Sequence, residues 1–193
     1  MREISSVAVF CGSRLGGDPA FAGAARDLGT GLAKAGIRLI YGGGRNGLMG
    51  VLADAVLAAG GTVLGVIPDF LTKWEVSHEG VTEMLVTDSM HARKAHMAEQ
   101  ADAFVTLPGG IGTMDETIEI ISWRQLRLHD KPIFICDVAG SATGLVAAIE
   151  SAIVQGFAAE EARGYFRVVK GVPALLAALG LAARGDGVDP SRL

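Results

Sequence analysis

The chain has 193 residues, a formal net charge of −4 and 50% hydrophobic residues. That length supports one domain with a substantial core. The acidic balance, with no basic run, excludes a general nucleic-acid binder, which needs a cationic surface to neutralise phosphates. The longest apolar stretch, Val56 to Ile67, is broken by Gly60, Gly61 and Gly65, so no membrane span is expected. The N-terminus carries no signal-peptide pattern. Cys11 and Cys136 each lie near the end of an apolar, β-prone run and read as buried reduced thiols, which implies a cytoplasmic setting.

Ser6 to Cys11 reads as the first strand. A glycine turn follows, and then Asp18-Pro19, an N-cap and N1 pair, opens a helix that stops at Gly36. A strand over 37–41, a helix over 47–59, strands over 62–67 and 81–87, and a helix over 89–101 come next. Ala103 to Leu107 is short, apolar and β-prone, whereas Thr113 to Leu128 carries apolar residues at helical spacing. A strand over 132–136, a helix over 143–155, a strand over 165–169 and a helix over 172–179 complete the series. Strands that alternate with helices and are apolar on both faces predict an α/β fold, a Rossmann-like doubly wound parallel sheet in three layers. One domain over 1–183 is expected, with 184–193 as a frayed tail.

In such sheets ligands bind outside the carboxyl ends of the strands. Loops 12–17, 42–47 and 109–112 are all glycine-rich and all fall on that rim. Pro108 to Glu116 is the most telling of them, because it joins a tight strand-to-helix turn to a carboxylate at the mouth of a helix. Such a turn aims free N–H groups and the positive end of the helix dipole at an anion. Thr113 and Glu116 also fit a capping box, which competes with a ligand role for Glu116, and Asp115 reads as a solvated partner of the dipole. Gly42, Gly44 and Gly47 with Asp69 fit a dinucleotide fingerprint, but the match falls on the second unit, and a mononucleotide held by several loops fits better. His91 and His96 are five apart, unlike helical zinc pairs, and no metal or cofactor is expected. His78 and His129 read as loop or helix-end residues. The helix after Glu116 is apolar on more than one face, which points to a homodimer.

Taken in order, Val9-Phe-Cys-Gly-Ser13, Tyr41-Gly-Gly-Gly44, Gly47-Leu-Met-Gly50, Gly65-Val-Ile-Pro68, Met90-His-x-Arg93-Lys94 and Pro108-Gly-Gly-x-Gly-Thr-x-x-Glu116 resemble the LONELY GUY (LOG) family. Trp123-x-Gln-Leu and His129-x-Lys-Pro132 extend the likeness, which covers about Val7 to Gly156. The resemblance implies a phosphoribohydrolase that releases free base and ribose 5-phosphate from an N6-modified adenosine 5′-monophosphate. It implies catalytic roles for Arg93 and Glu116, and substrate contacts from Ser13, Gly43, Gly44, Met90, Lys94, Pro108, Gly109, Gly110, Gly112 and Thr113. Relatives were long labelled lysine decarboxylases, but the sequence has no pyridoxal-binding motif. The rival reading is a non-catalytic nucleotide or molybdenum-cofactor carrier of the same architecture. Three departures from the family pattern, Arg14, Ile111 and the stretch Gly140 to Gly144, bear on base selectivity and leave plain AMP open as a substrate.

Overall fold

The computed structural model describes residues 4–72 and 77–181. All five residues of β1 (Ser6–Phe10) are buried. Val7 and Val9 enter one apolar cluster, whereas Ala8 and Phe10 enter another. A strand buries both faces only when its sheet is covered on both sides. The covering layers are α1 (Pro19–Lys34), α2 (Gly47–Ala58) and α6 (Gly171–Ala178) on one face. On the other lie α3 (Met90–Gln100), α4 (Ile111–Gln125) and α5 (Thr143–Val154).

Six further strands follow β1, namely β2 (Arg38–Tyr41), β3 (Val63–Pro68), β4 (Glu83–Thr87), β5 (Ala103–Thr106), β6 (Ile133–Asp137) and β7 (Arg167–Lys170). They form one seven-stranded sheet in the order β4-β3-β2-β1-β5-β6-β7, parallel throughout. The expected doubly wound, three-layer α/β architecture is therefore present. The chain winds outward from β1 to one edge, then restarts at β5 and winds to the other. A crevice opens where the winding reverses, above the carboxyl ends of β1 and β5.

Local chemistry explains most element ends. The Asp18 carboxylate accepts from the Ala20 N–H at 2.8 Å with Pro19 as the first helical residue, so α1 starts where its cap predicts. Gly36 turns the chain with φ +71°. Helices α1 and α2 pack closely because Gly29 has only hydrogen facing α2; a Cβ there would lie 2.6 Å from the Leu52 carbonyl oxygen. At the amino ends of β1 and β5, Asp102 accepts from the backbone N–H and hydroxyl groups of both Ser5 and Ser6.

The main correction concerns α4, which begins at Ile111 with Gly110 as its N-cap and not at Thr113. Thr113 is then the third helical residue, so the capping box does not form, and Glu116 lies in the second turn, not the first. Short 3-10 turns at Asp69–Leu71 and Glu160–Gly164 were not foreseen, and β4 and β7 start two residues later than expected. The tail 184–193 and the domain end at 183 fall outside the described residues. No helix among the described residues is long and apolar enough to cross a membrane.

Candidate active site

A cleft of about 760 Å³ opens on this rim. Its walls come from the loop after β1, the start of α2, the first turn of α3 and the turn from β5 into α4. The turn after β1 and the turn after β5 are tied together, since the Gly12 N–H donates to the Pro108 carbonyl at 3.0 Å. Gly47, at φ +61°, packs directly on the Ser13–Arg14 backbone, where any side chain would collide.

One end of the cleft is formed by the N-terminus of α4. The first intrahelical bond of α4 runs from the Met114 N–H to the Gly110 carbonyl at 3.1 Å. The N–H groups of Ile111, Gly112 and Thr113 precede it and have no carbonyl of their own helix to meet. With the dipole of a 15-residue helix behind them, they favour a phosphate or carboxylate. Gly109 lets this turn fold tightly, because a Cβ there would run into the Thr113 side chain. Thr117 anchors the helix from below. Its hydroxyl donates to the Thr113 carbonyl at 2.6 Å, so the Thr106 hydroxyl, 2.8 Å away, must be donating to it.

Arg93 and Glu116 meet at the floor. Ser89 caps α3 by accepting from the Ala92 N–H at 3.1 Å, which puts Met90 and Arg93 on the cleft side of the first turns. The Arg93 guanidinium is almost fully buried; its Nη2 donates to the Gly42 carbonyl at 3.1 Å and lies 4.0 Å from Glu116 Oε1. Arg93 Nε is buried without a hydrogen-bond partner among the described residues. A buried charged donor left unmet is costly. Next along the same two helices, Lys94 Nζ bridges Asp115 Oδ2 at 2.6 Å and Glu119 Oε2 at 3.2 Å. Burial pulls the Lys94 ammonium down, but its hydrogen bonds to the two carboxylates outweigh that and hold it above the ordinary lysine value. This bridge locks α3 to α4 beside the Arg93–Glu116 pair. Asp115 is therefore an ion-pair partner, and more than the solvated residue expected.

Of the expected contacts, Ser13, Met90, Arg93, Pro108, Gly109, Gly110, Gly112, Thr113 and Glu116 all line the cleft. Gly43, Gly44 and Lys94 do not. Gly43 packs on Ile67 and Met84 with φ +78°, and Gly44 bridges to Ser77, so the glycine loop after β2 stands behind the site and holds Arg93. Asp69, the acid of the dinucleotide fingerprint, is not among the cleft residues either. The sequence reading missed the apolar end formed by Phe21, Leu48, Met49 and Leu71, residues whose spacing signals core as readily as cavity. Of the departures from the family pattern, Arg14, Ile111 and, from the stretch Gly140 to Gly144, Ser141 lie in the cleft wall. Cys11 lies there as well, and burial together with the Glu116 charge pushes its thiol far up, so it stays protonated. His129 is structural: its Nε2 bonds the Ile120 carbonyl at 2.9 Å, and its ring tilts against Phe104.

Comparison with known proteins accords with this geometry. A protein family described as "Possible lysine decarboxylase" matches residues 49–179. No lysine among the described residues lines the cleft. A cytokinin riboside 5′-monophosphate phosphoribohydrolase from Rhodococcoides fascians is 43% identical over 90% of this chain and 88% of its own length. One from Arabidopsis thaliana is 45% identical over 83% of this chain and 76% of its own. A probable enzyme of the same name from Oryza sativa subsp. japonica is 43% identical over 93% and 78%. Among solved structures, the molybdenum cofactor carrier protein of Chlamydomonas reinhardtii superposes with a TM-score of 0.69 at 21% identity, covering 92% of this chain and 96% of that one. The molybdenum cofactor binding protein of Rippkaea orientalis gives 0.70 at 18%, covering 93% and 98%. Likeness at that identity speaks to the fold alone. With the sequence likeness extending over most of both partners, this chain belongs to the LOG family of cytokinin riboside 5′-monophosphate phosphoribohydrolases.

Proposed function

We propose that the protein hydrolyses the N-glycosidic bond of an adenosine 5′-monophosphate, N6-modified or plain, to free base and ribose 5-phosphate. The observation that carries this reading is the Arg93–Glu116 pair, 4.0 Å apart, beside the open N-terminus of α4. The N–H groups of Ile111 to Thr113 take the 5′-phosphate, with the Thr113 hydroxyl beside them. Glu116 serves the glycosidic carbon: its carboxylate stabilises the positive charge that grows at C1′ as the bond lengthens, and it takes a proton from the incoming water. Water supplies hydroxyl to C1′ and a proton to the departing base nitrogen, so the step needs no redox partner. Arg93 uses its guanidinium to orient the nucleotide. Met90, Ser13, Pro108, Gly109, Gly110 and Gly112 complete the contact surface, and Lys94 acts from behind by fixing α3 to α4.

Two assembly features belong to the same reading. The unpartnered apolar stripe on α4 supports a homodimer, and the unpaired buried thiols Cys11 and Cys136 support a cytoplasmic setting. The test is turnover of AMP and of isopentenyladenosine monophosphate by the purified protein, with free base and ribose 5-phosphate read by chromatography. Release of both products is expected, and Glu116→Gln should lower kcat at least about a hundredfold with the fold intact. Tight nucleotide binding with no release would overturn the enzyme reading in favour of a carrier.

A further inference from the structure

His78 lies outside the cleft, yet it is 5% exposed and every polar group on it is engaged. Its ring Nδ1 accepts from the Gly80 N–H at 3.1 Å. That leaves the proton on Nε2, which donates to Asp54 Oδ1 on α2 at 2.9 Å. Its own backbone N–H donates to the Gly43 carbonyl at 3.0 Å, and the adjacent Ser77 forms an antiparallel bridge with Gly44. The imidazole thus pins one short segment to α2 while that segment pins the turn 42–44. This turn needs pinning, because Gly43 has φ +78° and glycine is the residue least able to hold a conformation unaided. The carbonyl of the first residue of the turn, Gly42, receives Arg93 Nη2.

We propose that His78 is a positioning residue for the reaction: through the segment 77–80 it fixes the Gly42–Gly44 turn and so the direction of the Arg93 guanidinium. Asp54 is its outer anchor. The inference rests on the reading of Arg93 given under Proposed function. Its physical basis is that a guanidinium whose Nη2 has one carbonyl to hold it is only as well placed as that carbonyl. Small displacements of a group that orients a substrate lower the rate well before they prevent binding.

The experiment compares His78→Leu, His78→Asn and Asp54→Ala in kcat and KM for the nucleotide, with amide exchange of the segment 42–45 as a second readout. Asp54 has a side chain 63% exposed, so its truncation leaves the core untouched and keeps the proposal testable if the His78 variants fold poorly. His78→Leu should lower kcat about tenfold with KM within about twofold. His78→Asn, whose amide oxygen replaces Nδ1 as the acceptor for Gly80 but which is too short to reach Asp54, should lower kcat only about threefold, and Asp54→Ala should do the same. Faster exchange at 42–45 should accompany each loss. Equal losses in the leucine and asparagine variants, a change confined to KM, or wild-type kcat in Asp54→Ala would overturn the proposal. Lack of turnover by the wild-type protein would instead sink the functional reading; the positioning claim then falls or stands on whether Asp54→Ala speeds exchange at 42–45.

Discussion

Arg93 occupies the space that a side chain on Gly42 would need. Its Nη2 donates to the Gly42 carbonyl at 3.1 Å, and a Cβ built on that glycine overlaps the same nitrogen. The glycine loop after β2, which resembles a phosphate cradle in sequence, therefore works as a seat for an arginine. Because Arg93 fills the space beside Gly42, the arrangement is open to a direct test.

Gly42→Ala should displace the guanidinium, which is the flexible end of its side chain, and leave the backbone in place. We expect activity at least about tenfold lower with only a small loss of thermal stability. Steady-state kinetics and calorimetry check it; wild-type activity would show that Arg93 needs no fixed seat.

Thr117→Val removes the hydroxyl that donates to the Thr113 carbonyl and accepts from Thr106, both buried. The Thr106 hydroxyl loses its partner, while the Thr113 carbonyl keeps the backbone N–H of its own helix, so a nearly isosteric change is expected to destabilise by about 1–3 kcal/mol. Because the same bonds seat the first turns of α4, nucleotide affinity should fall as well. Denaturant titration and binding measurements read the two effects separately.

Asp102 gives a prediction in pH. Burial raises its carboxyl, but the hydrogen bonds from Ser5 and Ser6 outweigh that and hold it below the ordinary aspartate value. A group whose folded value is depressed contributes stability that is present above its unfolded value and lost as pH falls through the folded one. The stability difference between wild type and Asp102→Asn should therefore be constant near neutrality and shrink below about pH 4. Urea melts across pH 2 to 7 provide the measurement, and a difference that grows toward acid would contradict the assignment.

The exposed stripe of α4 tests the proposed dimer. Ile111, Met114 and Ile118 are 87%, 44% and 39% exposed and follow one another at helical spacing. Sedimentation should give twice the chain mass for the wild type and the chain mass for Ile118→Asp. A wild-type monomer would remove the dimer from the account.

Local chemistry wrote much of this molecule legibly. The Asp18-Pro19 cap, the apolar runs of the strands and the helical spacing of the long segments are nearest-neighbour properties, so element order, the parallel sheet and the rim on which the glycine loops lie could be read from the sequence alone. Arg93 was legible only through a resemblance, since a single arginine on a helix has an ordinary explanation, whereas Glu116 already stood out beside the glycine turn although a capping box could also explain it. What tertiary structure decided was which atoms meet. Nothing local requires that Gly42 receive Arg93, that Lys94 bridge Asp115 and Glu119, or that His78 reach Asp54, because those pairs lie on different elements and are joined only when β2, β1 and β5 are laid side by side. The start of α4 was settled the same way. Its first turn is fixed by the contact of Gly109 with Thr113 and by the Thr106–Thr117 pair, so the helix opens at Gly110 and its free N–H groups face the cleft.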